Sequence, residues 1–109
     1  MKPKDIDQIN EYLNQLHGRE ASFGNYIEEH DCLVIGLYSI GSDPVGVSFI
    51  GTAHISGPIR WPNNRLQTRL YTIETEGDAI EVFDDEAGFS LKCYGPVRFG
   101  DTGKVIPTT

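Results

Sequence analysis

Hydrophobic and polar residues alternate with a period of two over residues 45–55 and again over residues 89–99, and a glycine holds the seventh position of each run, Gly51 and Gly95. In the first run Val45, Val47, Phe49, Gly51, Ala53 and Ile55 share one side, with Gly46, Ser48, Thr52 and His54 among their opposites. In the second, Phe89, Leu91, Cys93, Gly95, Val97 and Phe99 oppose Ser90, Lys92, Tyr94, Pro96 and Arg98. Successive side chains of a strand point to opposite faces, so each run predicts a long strand with one buried face. A glycine inside such a strand usually marks a bend, a bulge or a close backbone approach. The two runs together point to a strongly curved, mostly antiparallel sheet around a small core.

A helical period precedes them. Ile6, Ile9, Leu13 and Leu16 recur at spacings of three and four, with Tyr12 beside the stripe. Asp7, Asn10, Glu11, Asn14 and Gln15 are assigned to water. Asp5 and Gln8 fit a capping box, and Gly18 sits where a left-handed C-terminal cap belongs, so a helix is predicted over residues 5–17. A helix this short is not stable alone and must dock its stripe on the concave face of the sheet.

Residues 20–27 read as a weak strand interrupted by Gly24 and Asn25, and residues 33–40 as a central strand covered on both sides. Residues 66–75 and 80–83 supply two more strands, joined through Glu76 and Gly77, and Asp84–Gly88 leads into the second alternating run. Short turns between successive strands imply an antiparallel meander. The expected fold is therefore α+β: an N-terminal helix packed on one curved sheet of about five to six strands over residues 20–99, curling toward a half-open barrel. Residues 57–65 form the one long interior segment without strand character, and residues 100–109 are expected to be a loosely held tail.

The chain has 109 residues, the size of one domain. Nine Lys and Arg against sixteen Asp and Glu give a formal charge of −7, which argues against nucleic acid as a partner because phosphate contacts depend on clustered bases. The charge is unevenly spread. Residues 44–73 contain no acid but carry Arg60, Arg65 and Arg69, whereas residues 74–86 contain Glu74, Glu76, Asp78, Glu81, Asp84, Asp85 and Glu86 and no base. No run approaches the ~18 apolar residues of a membrane span. Cys32 and Cys93 sit inside apolar strand patterns, and residues 1–5 lead into a polar helix and not into an apolar signal core, so a cytoplasmic protein with reduced, inert thiols is expected.

Candidate chemistry is sparse. Glu28, Glu29, His30, Asp31 and Cys32 offer carboxylate, imidazole and thiol in succession, but the spaced pairs that place two ligands on one face are absent, so no metal site is assigned. No glycine-rich phosphate loop occurs and no cofactor is expected. His17 suits a helix C-terminus, and His54 has no nucleophile or carboxylate at a motif spacing. No residue is assigned a catalytic role, and the reading leans away from an enzyme. The segment Arg60, Trp61, Pro62, Asn63, Asn64, Arg65 stands out, because Trp and Arg are enriched at binding hot spots and a proline-fixed loop loses little entropy when immobilised. Packing offers another role for Trp61, as a lid on the open end of the core with Arg60 or Arg65 stacked over it.

These features favour a small, acidic, non-catalytic protein that binds a protein partner, of the immunity, inhibitor or adaptor type. A basic partner suits the acidic stretch. The candidate binding residues are Arg60, Trp61, Asn63, Asn64, Arg65, Asp84, Asp85 and Glu86. Two alternatives are a ligand-binding or enzymatic domain with a pocket between helix and sheet, with His54, Arg60, Trp61 and Tyr71 at its mouth, and a structural subunit that pairs, as a homo-oligomer or with another chain, through a sheet edge.

Overall fold

The computed structural model describes residues 3–73, 77–100 and 105–106. In chain order the elements are α1 (Pro3–Gln15), β1 (Glu20–Ile27), a 3-10 turn (Glu29–Asp31), β2 (Cys32–Tyr38), β3 (Val45–Phe49), β4 (Thr52–Ser56), β5 (Arg60–Trp61), β6 (Gln67–Ile73), β7 (Gly77–Asp84), β8 (Phe89–Cys93), β9 (Val97–Phe99) and β10 (Val105–Ile106). They build two antiparallel sheets, one ordered β10-β9-β3-β2-β1-β5 and the other β4-β8-β7-β6. The fold is α+β with an N-terminal helix, but the one sheet expected from the sequence is two, and they do not close into a barrel.

The reason lies in the two alternating runs, which pair with each other along their length. Val47, Ser48 and Phe49 face Phe99, Arg98 and Val97 in the first sheet, and Thr52 and Ala53 face Cys93 and Lys92 in the second. The paired runs thus form a single two-stranded ribbon that passes through both sheets and bends between them. At the bend Ile50 N donates to Pro96 O (3.1 Å), Gly95 N to Ile50 O (2.8 Å) and Tyr94 N to Gly51 O (2.9 Å). Gly51 N donates to His30 O (2.9 Å), which ties the turn before β2 to the same corner. A Cβ on Gly95 would stand 2.7 Å from Ile50 O, and Gly51 has φ +72°. Only glycine fits both constraints. The corner also resets the alternation of the first run: Thr52 is buried after it, and Ile55, expected on the inner face, is exposed.

The helix begins at Pro3, two residues before the expected start, so Asp5 lies inside the first turn and is not the N-cap. Proline is tolerated there because a first-turn N–H has no intrahelical acceptor. Ile9, Leu13 and Leu16 are buried as the stripe requires, and Gly18 is left-handed at the C-terminal end. Asn10, expected in water, instead clamps β6. Its Nδ2 donates to Thr68 O (3.1 Å) and its Oδ1 accepts from Thr68 N (2.7 Å) and Oγ1 (2.9 Å). One side-chain amide thus takes the place of a neighbouring strand at that point of the β6 edge. Tyr12 reaches the other sheet, its ring 5.0 Å from that of Phe99.

Three smaller expectations change. The central strand β2 buries Leu33, Ile35 and Leu37 on one face only; the other is half-exposed, with the Tyr38 ring lying over Gly36. Cys32 falls on that second face and is half-buried. In the tail, β10 pairs with β9, while residues 101–104 and 107–109, like residues 74–76, lie outside the described residues.

Gly95→Ala is expected to cost about 1–3 kcal/mol by forcing backbone against backbone at the corner. Gly88→Ala, at φ +69° with open space around it, provides the comparison for left-handed strain alone. Urea unfolding of the two variants checks this; a Gly95 variant no less stable than wild type would show that the ribbon does not depend on close approach.

Candidate functional site

Residues 57–65 are not strandless. Arg60 and Trp61 form β5 against β1, opposite Ser22 and Ala21. This places Trp61 inward, 6% exposed, with its ring stacked on Phe89 at 4.6 Å. Among the described residues no arginine stacks over it: the cation–π contacts there are Arg69 over Phe83 and Lys92 over Tyr71. The indole Nε1 donates to Asp84 Oδ2 (2.8 Å), which also accepts Arg65 N (2.7 Å), while Asp84 Oδ1 accepts Ala87 N (3.2 Å). Asp84 is 1% exposed, so three N–H groups satisfy a fully buried carboxylate.

Asn64 is buried as well. Its Nδ2 donates to Leu16 O (2.8 Å) and Arg19 O (2.9 Å), and its Oδ1 accepts Leu66 N (3.3 Å). Its backbone closes the same contact, with Asn64 N donating to Arg19 O (2.9 Å) and Gly18 N to Asn64 O (3.0 Å). His17 lies beside this joint, its Nε2 2.8 Å from Leu66 O, a positioning contact beyond the dipole role expected of it.

The eight candidate residues therefore divide in two. Trp61, Asn64 and Asp84 are buried anchors; Arg60, Asn63, Arg65, Asp85 and Glu86 are exposed. Arg60 Nε donates to Glu20 Oε1 (2.6 Å) across the β5–β1 pair. The loop and the β7–β8 hairpin tip are one structure joined through Asp84. Three concavities surround it. An open groove of about 840 Å³ runs past Glu20, Ser22, Tyr38, Ile40, Arg60 and Asn63. One of about 400 Å³ lies between His17, Arg65, Asp85 and Glu86, and one of about 310 Å³ between Trp61, Asn63, Asp84 and Glu86. The signal for the joint was in the sequence: Asp84 continues the inward phase of Ile80 and Val82, where an acid needs donors.

The acidic stretch is also divided by the fold. Glu81 lies on the outer face of the four-stranded sheet, almost covered, bonded to both Lys92 and Arg69. The Lys92 ammonium beside it holds its carboxyl below the usual range against an opposing effect of burial, with Arg69 adding to the lowering. Asp85 and Glu86 face water; Glu74, Glu76 and the side chain of Asp78 lie outside the described residues. The four residues suggested at the mouth of a pocket between helix and sheet are not brought together. Tyr71 lies under Lys92, Trp61 is packed inside, Arg60 is on β1's outer side, and His54 is exposed on β4 with φ +54°. Cys32 and Cys93 are both free; burial pushes the Cys93 thiol up to about 12, which leaves it protonated and unreactive near neutral pH. Among the described residues no cluster of His, Cys, Asp or Glu is placed to hold a metal ion, and no helix is long and apolar enough to cross a membrane.

Fold and site together define a two-sheet α+β domain that displays a firmly anchored loop. No protein-family model, curated protein or solved structure matches the chain.

Asp84→Asn keeps the shape but leaves one oxygen for three donors, and a stability loss of about 1–3 kcal/mol is expected. Tryptophan emission should shift to longer wavelength before global unfolding as Trp61 loosens. Unchanged stability and emission would remove Asp84 as the joint.

Glu81 gives a pH dependence. Because its folded pKa lies below the ordinary carboxyl value, its contribution is present above that ordinary value and is lost as pH falls through the folded one. Wild type should therefore exceed Glu81→Gln in stability at pH 7, and denaturant midpoints should converge in acid.

Proposed function

We propose that this chain is a non-catalytic binding protein whose interface is centred on the loop at residues 57–65 and the adjoining hairpin tip. The observation that carries the reading is the division of labour in the loop. Trp61, Asn64 and Asp84 fix its backbone from inside, while Arg60, Pro62, Asn63 and Arg65 are held outward beside Asp85 and Glu86. A loop already immobilised in the free protein loses little conformational entropy on association. Next to it the groove contains Tyr38 and a fully exposed Ile40, apolar area that a partner would remove from water.

In this reading Asp85 and Glu86 set the approach of a basic partner and Arg60 with Ile40 sets residence. Charged rims act mainly on association rate, and desolvated central contacts on dissociation. Trp61 supports the interface without touching the partner.

The test compares proteins captured from cell extract by wild type, by Asp85→Lys/Glu86→Lys and by Arg60→Ala/Ile40→Ser, followed by kinetics with any protein lost from a variant. The first pair should slow association about tenfold and flatten its salt dependence. The second should leave association alone and speed dissociation. A partner whose binding neither pair changes would place the interface elsewhere on the molecule.

A further inference from the structure

The β1 strand has a second, unfinished ladder. On the side away from β2 it pairs with β5 at Ala21↔Trp61 and Ser22↔Arg60, and Phe23 N donates to Ile59 O (2.9 Å). The same antiparallel order is taken up again at His30 O, which accepts Gly51 N (2.9 Å). Between these ties the two chains part. β4 turns away to pair with β8, at Thr52↔Cys93, Ala53↔Lys92 and Ser56↔Ser90. Gly57, at φ +117°, is seated so closely on Gly88 that a Cβ would stand 2.5 Å from its carbonyl oxygen. Both rims are irregular: β1 is bulged between Phe23 and Asn25, and β4 between Ala53 and Ser56. The result is a window with β1 as one rim and β4 as the other, each the edge strand of its sheet over this stretch.

The rims are apolar and acidic. Tyr26, Ile27 and Ile55 are 47%, 44% and 42% exposed. Glu28, Glu29 and Asp31 follow directly on β1 and are exposed, and residues 20–59 contain no Lys or Arg. Two copies of this chain meeting edge to edge here would bring like charges together, which disfavours self-pairing and favours an occupant of opposite sign.

We infer that the window is a docking site for an extended, basic segment of a partner protein, which adds as a strand to the open edge of β1. Tyr26 and Ile27 fall on opposite faces of the strand, so the apolar side chains of an alternating segment would meet one of them, while its lysines or arginines lie on the other face within reach of Glu28, Glu29 and Asp31. Main-chain pairing supplies affinity in such additions, and the charges supply sign and direction. This surface adjoins the anchored loop at Ile59 but uses the edge of β1, and neither proposal depends on the other.

The probes are three short capped peptides: one alternating valine and lysine, one alternating valine and glutamate, and the lysine peptide N-methylated at alternate residues so that one edge cannot donate. Binding to isotope-labelled protein is followed by amide shifts and amide exchange. The lysine peptide should slow exchange and shift resonances at residues 24–29 and 52–56, and bind about fivefold more weakly on raising salt from about 0.05 to about 0.3 M. Glu28→Gln/Glu29→Gln, two exposed changes that leave the fold intact, should weaken it similarly. Neither the glutamate peptide nor the N-methylated peptide should bind. Equal binding by either, shifts confined to residues 60–65 and 85–86, no binding of the lysine peptide at several millimolar, or dimerisation of the protein through β1 would each overturn the inference.

Discussion

Everything in this fold is arranged around the contact between Gly51 and Gly95. A two-stranded ribbon can belong to two sheets only if both of its chains bend at the same place, and a bend in a paired ribbon brings backbone against backbone. The distance from a notional Cβ on Gly95 to Ile50 O, 2.7 Å, is shorter than any side chain permits. The backbone N–H groups of Ile50, Gly51, Tyr94 and Gly95 all keep carbonyl acceptors through the bend. Once the ribbon is bent, the inner faces of its two arms enclose a core containing Val47, Phe49, Leu91, Val97 and Phe99, and the helix fills the space between them with Ile9, Leu13 and Leu16.

The same economy governs the polar interior. Asp84, Asn64 and Asn10 are each placed where backbone donors and acceptors would otherwise lack partners: at the loop, at the helix C-terminus and at the β6 edge. Each carries three hydrogen bonds with one side chain. Burying them is favourable because their bonds are complete, and removing one would strand several groups at once. This is how a domain of modest size holds an irregular nine-residue connection in one conformation.

The sequence made the elements legible but not their partners. Periodicity located α1 through Ile9, Leu13 and Leu16 and the starts of β3 and β8, because burial on one face is a local, repeating signal, but it read as one strand each the runs that the corner divides into β3 and β4 and into β8 and β9. It even marked the two glycines. What it did not carry is that Gly51 and Gly95 bend against each other, since pairing of distant runs leaves no trace in either run alone. Nor could it separate Asn10 from Asn14 on the same helix: both are polar at polar-looking positions, and only the approach of β6 makes one of them a clamp. The sequence offers Trp61 two roles, a binding residue or a packing lid under a stacked arginine; it packs inward on Phe89 and bonds Asp84, a neighbour visible only once the phase of Asp84 with Ile80 and Val82 is taken seriously.

The bent ribbon also dictates how the molecule must come together. Its two arms join segments far apart in the chain; Ile50 and Cys93, in contact at the corner, are 43 residues apart. Local pieces such as the β7–β8 hairpin close over a short turn, whereas the corner waits for a long loop to be drawn in and for two backbones to be seated within contact distance. Folding of this topology is consequently slow relative to a helical protein of equal length. Until the corner forms, the paired runs present open, apolar strand edges. The acidity of the chain then acts in a role unrelated to any partner, keeping half-folded copies apart while the last contact is made.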